Sequence, residues 1–218
     1  MTGIQMSIAA RRKREKAERR TAILAAASRV FATKGFAVAT MDEVAAEAEL
    51  SKGTLYLYFK NKDDLFLALS AEIISKIVVE FEAAVERPGP GLELLATMLR
   101  AYADHVVGSP DHFRSVVTWL STGYQVDTTS PSFVAHRAQV ARLIAALIAV
   151  IARGRDDGSI RADLDPTITA AQVWGGIFGA LQLRVNSDEL NRRFPLPVEF
   201  EHYIPGYIDL LIEGLRAR

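Results

Sequence analysis

One segment, Thr40 to Phe59, constrains the fold more than any other part of the chain. Its sequence is TMDEVAAEAELSKGTLYLYF. Thr40 precedes Glu43 by three residues, a spacing at which the two side chains each cap a backbone N–H group at a helix start. Ser51 is a good N-cap for a second helix. Two short capped helices in close succession predict a helix-turn-helix.

The first turn of the second helix carries groups suited to DNA. Lys52, Gly53 and Thr54 supply a cation, a position without a side chain and a hydroxyl. Such groups contact phosphates and base edges when the end of a helix enters the major groove. The alternative is that the aromatic residues after Thr54 are only the core of a small helical domain. A helix cannot bury three successive directions around its axis, so we expect Tyr56 or Tyr58 to point outward.

The segment SKGTLYLYFKNKDDLF resembles the recognition helix and following linker of the tetracycline-repressor (TetR) family of bacterial transcriptional regulators. The similarity in residue type and spacing runs from Thr40 to Phe66. It implies that Leu55 and Phe59 pack inward and that a further set of residues binds DNA. That set is Thr40, Ser51, Lys52, Gly53, Thr54, Tyr56, Tyr58 and Lys60. Two positions depart from the family pattern: Tyr58 stands where the family often has His, and Glu49 where it usually has Gly in the turn.

Charge is unevenly distributed along a chain whose formal net charge is zero. Residues 1–64 carry 12 basic and 8 acidic side chains, whereas the remainder carries 14 basic and 18 acidic ones. A basic reading domain on an acidic body directs the correct end of the molecule toward phosphate. The most basic stretch is residues 11–20, RRKREKAERR, which we interpret as part of an arm that contacts DNA backbone. The alternatives are a solvated helix face with Glu–Arg pairs and a mitochondrial presequence, against which its two Glu residues count.

Hydrophobic periodicity predicts helices throughout the chain and no convincing strand. A first helix begins near Arg19 and ends at Gly35. A long helix capped by Asn61 runs to Arg87 and links the two halves, and the Pro88–Gly91 stretch then breaks it. Later helices begin at Ser109-Pro110, Ser130-Pro131 and Asp165-Pro166, each a cap followed by proline. The last spans 199–216, and Pro205 either kinks it or marks its true start.

The helix after Asp165 has three glycines in its interior, each costing about 1 kcal/mol relative to alanine. Close approach of another helix is the expected compensation. The family resemblance implies that the last two helices of each subunit form a four-helix dimer interface, and the alternative is a crossing within one chain. The interface residues predicted on this basis are Gly175, Gly176, Gly179, Tyr207 and Leu211.

Aromatic and titratable residues recur in the central helices. Ordinary core packing explains any one of them, but together they are compatible with a pocket for a small, largely apolar molecule. The family resemblance implies such an effector site without identifying its ligand. The residues are Tyr102, His105, His112, Phe113, Trp119, Trp174 and Phe178.

Several classes of function lack sequence support. The chain has no Cys, so disulfides and Cys-ligated zinc are excluded, and its four His show no metal-ligand spacing. No phosphate-binding loop, dinucleotide fingerprint or nucleophile elbow is present. Because no signal peptide or membrane-length apolar run is evident, we expect a cytoplasmic protein without membrane contact or cofactor. An enzyme is not expected.

The sequence therefore predicts an all-α protein in three parts: a flexible basic arm (1–18), a three-helix DNA-binding domain (19–62) and a helical effector-binding and dimerisation domain (63–218). The predicted function is that of a homodimeric transcriptional regulator, most often a repressor in this family. It would bind a palindromic double-stranded DNA operator and be released by a small apolar effector. The alternative is a helical dimeric adaptor, or an activator without an effector.

Overall fold

The computed structural model describes residues 8–121, 126–193 and 199–217, with side chains described from residue 10. Within these ranges the chain is helical, and its one extended pairing is an isolated bridge between Ile160 and Arg216. The helices are α1 (Ile8–Lys34), α2 (Met41–Glu47), α3 (Lys52–Tyr56), α4 (Lys62–Val85), α5 (Gly91–Gly108), α6 (Pro110–Ser121), α7 (Pro131–Asp156), α8 (Pro166–Val185), α9 (Ser187–Arg193) and α10 (Phe200–Leu215). The all-α prediction is confirmed.

Helix starts agree closely with the predicted caps. The side chains of Ser51, Asn61, Ser130 and Asp165 each accept a hydrogen bond from a backbone N–H group in the first turn of the helix that follows. These local bonds fix where each helix begins, independently of what the helix later packs against.

Two helix predictions were wrong. Residues 8–18 are not a flexible arm, because α1 is continuous from Ile8. Its first turns lack an apolar face, but ion pairs between Arg11 and Glu15 and between Arg14 and Glu18 join successive turns. The short helix α9 was also missed. Pro205 lies inside α10, which begins five residues earlier, so it does not start that helix. The sequence also predicts a loop over residues 124–129, of which 124 and 125 lie outside the described residues.

Two buried clusters organise the molecule. The N-terminal cluster contains residues of α1, α2, α3 and the first turns of α4, from Leu65 to Leu69, together with Trp119 of α6. The C-terminal cluster joins the rest of α4 to α5, α7, α8 and α10. The predicted domain boundary after residue 62 therefore falls within the first turn of α4, a helix that belongs to both clusters.

The start of α4 is tied to the loop between α1 and α2. Lys62 donates hydrogen bonds to the carbonyl oxygens of Phe36, Ala37 and Ala39 at 2.7, 3.1 and 2.9 Å. Burial lowers the pKa of Lys62. These bonds hold the two ends of the helix-turn-helix region in a fixed relation.

One helix of the described chain, α7, is long and apolar enough to cross a membrane by length and mean hydropathy. The sequence did not predict this, because its longest uninterrupted apolar run, Leu143 to Ala152, is far shorter than a membrane span. Core helices meet the same criterion, and Leu143, Leu147 and Val150 lie in the C-terminal cluster.

Candidate DNA-binding surface and effector cavity

The capping box at the start of α2 is present as predicted. The Thr40 hydroxyl accepts from the Glu43 N–H at 3.3 Å, and the Thr40 N–H donates to the Glu43 carboxylate at 2.9 Å. Lys34 at the end of α1 donates to the same carboxylate at 2.6 Å. The hydrogen bond from Lys34, followed by the effects of the Thr40 backbone N–H and of the Thr40 side chain on the carboxylate, lowers the pKa of Glu43 to about 2. The start of α2 is thereby locked to the end of α1.

The turn between α2 and α3 depends on Glu49, which has a φ of 55°. It is the one non-glycine residue with positive φ in the described chain. Its N–H donates to the Ala46 carbonyl, and the Leu50 N–H donates to the Ala45 carbonyl, at 3.1 and 2.9 Å. This pair of bonds is the Schellman motif that ends a helix through a left-handed residue. The turn keeps the backbone geometry in which glycine is usual, although the residue is Glu.

Helix α3 presents a mixed polar and apolar face to solvent. Lys52 and Gly53 are exposed, and the Ser51 and Thr54 hydroxyls lie 2.8 Å apart in a hydrogen bond. Tyr56 is 43 % exposed, so the outward-pointing ring is this one. Leu55 and Phe59 are buried, as expected.

Two residues near the end of α3 differ in setting from what the sequence indicated. Tyr58 is partly buried and packs against the N-terminal cluster. Leu57, which was not among the predicted DNA-facing residues, is 81 % exposed. A leucine this exposed, one residue beyond the α3 helix, is an apolar surface that a thymine methyl group could contact.

The two lysines predicted to contact phosphate are ion-paired within the protein. Lys52 lies 2.8 Å from Asp42 of α2, and Lys60 lies 2.9 Å from Asp127 before α7. The hydrogen bond to each aspartate raises the pKa of its lysine. The Lys60 pair also connects the DNA-binding half to the C-terminal half. Both lysines remain well exposed, so each ammonium can exchange its aspartate for a phosphate.

A cavity of about 250 Å³ lies among α4, α5, α6, α7 and α8. All of the effector-site residues predicted from the sequence line it: Tyr102, His105, His112, Phe113, Trp119, Trp174 and Phe178. Tyr102 packs on Trp174 and Phe113 on Phe178, each with ring centroids 5.0 Å apart. The structure thus brings together, in one place, side chains separated by as many as 76 positions in the chain.

Other lining residues were missed by the sequence reasoning. His136 of α7 and Ser70 of α4 both face the cavity, alongside Ile73 and Ile74. A single sequence does not reveal which face of each helix lines a cavity, so no sequence signal identified these residues. Within the described chain, no group of His, Asp and Glu side chains is arranged to hold a metal ion.

The N-terminal cluster and the cavity share a wall. Phe66 of α4 and Trp119 of α6 belong to the buried N-terminal cluster and also line the cavity, with ring centroids 5.6 Å apart. Trp119 Nε1 donates to the Asp63 carboxylate in the first turn of α4 at 2.9 Å. Phe66 in turn contacts the rings of Phe31 and Phe36. A molecule in the cavity would therefore contact the same side chains that form the core beneath the helix-turn-helix.

The interior glycines of α8 face two different directions. A side chain at Gly176 would overlap the hydroxyl of Tyr207, so this position is a close crossing of α8 and α10 within one chain. For Gly176 and Tyr207 the structure thus shows the crossing within one chain that was the alternative, and contact of either residue with a second subunit stays a prediction. Gly175 and Gly179 are exposed, and nothing lies within 4 Å of a β-carbon built at either. Leu211 is partly buried against the C-terminal cluster.

Known proteins share both the motif and the architecture. Residues 23–69 match the family model described as bacterial regulatory proteins, tetR family. The chain is 24 % identical over 171 residues to the fatty acid metabolism regulator protein of Bacillus subtilis (strain 168), covering 77 % of this chain and 84 % of that protein. It is 30 % identical over 159 residues to an uncharacterised HTH-type transcriptional regulator of Mycobacterium tuberculosis (strain CDC 1551 / Oshkosh), covering 69 % of this chain and 63 % of that one.

Among solved structures, the transcriptional regulator FadR from Bacillus subtilis in complex with stearoyl-CoA superposes with a TM-score of 0.70 at 21 % identity. The superposition covers 90 % of this chain and 99 % of FadR. At this identity the likeness concerns the fold, and it includes the C-terminal helices that the family model does not reach. The capped helix-turn-helix, the family match and the shared fold agree: the chain belongs to the tetR family of bacterial regulatory proteins and is a DNA-binding transcriptional regulator.

Proposed function

We propose that this protein is a cytoplasmic homodimeric repressor that leaves its operator when a small, largely apolar molecule occupies the cavity among α4 to α8. The observation that carries the proposal is the wall formed by Phe66 and Trp119, which serves both the cavity and the core of the DNA-binding half. Closely packed cores do not deform continuously, so a ligand against this wall favours one arrangement of α4 over another. The stearoyl-CoA bound to FadR supports an apolar effector.

The dimer is proposed to form through the exposed faces of α8 and α10. On α8 these faces carry Gly175, Gly179 and Leu183, the last 42 % exposed. On α10 they carry Gly214 and Leu210, which is 73 % exposed. Glycines without neighbours allow the backbone of a second helix to come close, and exposed leucines gain by burial between copies.

A dimer would present two copies of α3 to successive major grooves about 34 Å apart, which requires a near-palindromic operator. Movement of α4 changes that separation. Because both half-sites must be engaged together for tight binding, a small change in separation lowers operator affinity strongly.

The first test is to sequence the DNA that the purified protein selects from a random pool. We expect an inverted repeat whose half-sites are about ten base pairs apart centre to centre, or a multiple of this spacing. Selection of no sequence would contradict the proposed operator. Activation of a reporter gene that carries the selected site would show that the protein is an activator and not a repressor.

The dimer face is tested by Gly179→Leu, with Gly108→Leu as a matched control at a helix end where a β-carbon meets nothing within 4 Å. Sedimentation should show the first variant shifted toward monomer and the control unchanged. Intact Gly179→Leu dimers would place the interface elsewhere.

The cavity is tested by tryptophan fluorescence with decanoic acid as the probe. Trp119 and Trp174 both line the cavity, so binding should change the emission and raise the melting temperature by mass action. If Trp119→Phe and Trp174→Phe each leave the response intact, the ligand binds outside this cavity.

A further inference from the structure

The apolar wall of the cavity is interrupted by polar side chains from four different helices. These are Ser70 of α4, Tyr102 and His105 of α5, His112 of α6 and His136 of α7. In the part of the chain that the structure describes, none of these side chains forms a hydrogen bond, and His136 Nδ1 is buried without a partner. Buried polar groups in folded proteins are almost always hydrogen-bonded. Their convergence on one cavity indicates that a ligand or solvent supplies the missing partners.

The side chains of this wall favour an anionic ligand over a cationic one. Among the described residues that line the cavity there is no Asp, Glu, Lys or Arg. A cationic ligand would therefore be buried without a counter-charge, at high cost. An anionic ligand would meet imidazoles, each of which becomes a cation by taking one proton, and hydroxyl groups that donate hydrogen bonds.

The imidazoles are neutral in the cavity and can each take up a proton when such a ligand binds. Burial lowers the pKa of His105 and His136, and burial together with the other two imidazoles lowers the pKa of His112 to about 4. The side chains that line the cavity are thus neutral near physiological pH. Burial also raises the pKa of Tyr102, whose hydroxyl consequently remains a donor.

The groups nearby do not supply a competing charge. Glu80 and Lys76 of α4 act on His105 with opposite signs, and both are exposed. Asp63, in the first turn of α4, accepts the hydrogen bond from Trp119. The histidines are therefore the groups whose protonation can balance a buried negative charge.

We propose that the effector is an apolar carboxylic acid, with its hydrocarbon body against the aromatic wall and its carboxylate hydrogen-bonded by His112, His105 and Tyr102. This inference rests on the effector role proposed above and names the chemical class of the ligand. Hydrogen bonds from an imidazolium to a carboxylate are charge-assisted and stronger than neutral ones. They form only if an imidazole takes up a proton from solvent when the ligand binds.

The proton uptake gives the proposal a measurable signature. Because binding favours the protonated imidazole, and the ligand remains a carboxylate above about pH 5, affinity is higher near pH 6 and declines as pH rises to about 8. An uncharged ligand of the same size gains nothing from a protonated imidazole and should show no such pH dependence over this range.

The experiment compares decanoic acid, decan-1-ol and decanoyl-CoA by isothermal titration calorimetry in two buffers of different ionisation enthalpy. We expect the acid to bind at least about tenfold more tightly than the alcohol near neutral pH, with uptake of about one proton per ligand. In His112→Gln the preference for the acid should fall to about twofold and the proton uptake should disappear. His202→Gln on the exposed face of α10 is the matched control and should behave as the parent.

The outcomes separate the two proposals. Equal binding of acid and alcohol, absence of proton uptake, or binding of the thioester alone would overturn the carboxylic-acid assignment while leaving the cavity as the effector site. Failure of all three probes to bind, with unchanged tryptophan emission, would overturn the effector site as well. If His112→Gln fails to fold, Tyr102→Phe provides the second variant, and an unchanged preference for the acid in that variant removes Tyr102 from the carboxylate site.

Discussion

Replacing Glu49 by Gly should stabilise the protein, although it removes a side chain and adds chain flexibility. Glu49 holds the left-handed position of the Schellman turn with a φ of 55°. A residue with a β-carbon loses about 1–2 kcal/mol in this conformation. Glycine avoids that strain, but its unfolded chain has more conformational freedom to lose, which lowers the free energy of unfolding by about 0.5–1 kcal/mol. The difference leaves a gain of up to about 1 kcal/mol.

No contact is sacrificed by the change. The Glu49 side chain is exposed and, within the described residues, makes no hydrogen bond or ion pair. The two backbone bonds of the turn, from Glu49 to Ala46 and from Leu50 to Ala45, do not depend on the side chain. For a chain of this length, the gain corresponds to a rise in melting temperature of about 1–4 °C.

DNA binding provides a second, independent readout of the same variant. Glu49 places a negative charge two residues before Ser51 and the first turn of α3. Its removal should raise operator affinity at low salt and have less effect at high salt, where the charge is screened.

Glu49→Ala separates the two effects. Alanine removes the charge but keeps a β-carbon in the left-handed conformation, so it should improve DNA binding as glycine does without the same gain in stability. Urea unfolding and operator titrations at two salt concentrations measure both. If Glu49→Gly were less stable than the parent, or no more stable than Glu49→Ala, the argument from backbone strain would be refuted.

Further predictions concern the surface of the DNA-binding half. Lys52→Ala should weaken binding to all DNA sequences and reduce the slope of log affinity against log salt concentration by about one unit in magnitude. Asp42→Asn releases Lys52 from its ion pair and should strengthen DNA binding at low salt. An unchanged slope in Lys52→Ala would remove Lys52 from the interface. Thr54→Ala should alter sequence preference more than nonspecific affinity, and uniform weakening across operator variants would assign its hydroxyl to phosphate. The pKa of Glu43 in the folded protein lies below its value in the unfolded chain. The ionised carboxylate therefore stabilises the fold at pH values above the unfolded-state pKa, and this contribution is lost as pH falls toward about 2. Glu43→Gln should therefore lower stability at neutral pH and match the parent below about pH 2 in acid titrations followed by circular dichroism.

Local chemistry was the part of the fold that the sequence predicted best. The caps at Thr40, Ser51 and Asn61 depend on side chains that bond to backbone three residues away, so neighbouring residues are sufficient to find them. The helical character of residues 8–18 was missed for the opposite reason. That segment packs no apolar face, and its helix is supported by propensity and by ion pairs along the surface.

Directions around a helix axis were harder to predict than positions along it. Gly175 and Gly176 are adjacent, yet one faces solvent and the other Tyr207. A rotation of about 100° between neighbours is enough to turn one of two adjacent glycines toward solvent and the other toward a helix of its own chain. The aromatic set of the cavity was predicted because rings are conspicuous in sequence. His136 and Ser70 became apparent only when the packing of α4 and α7 fixed which way they point.

The passage of α4 through both buried clusters has a consequence for how the molecule unfolds. A protein cut after residue 62 would lose the core residues Leu65 to Leu69 as well as Trp119, and the remaining helices would expose the surfaces that these side chains cover. The DNA-binding half therefore shares part of its interior with the C-terminal half. We expect the two to melt in a single cooperative transition, so that a substitution deep in either cluster lowers the stability of both.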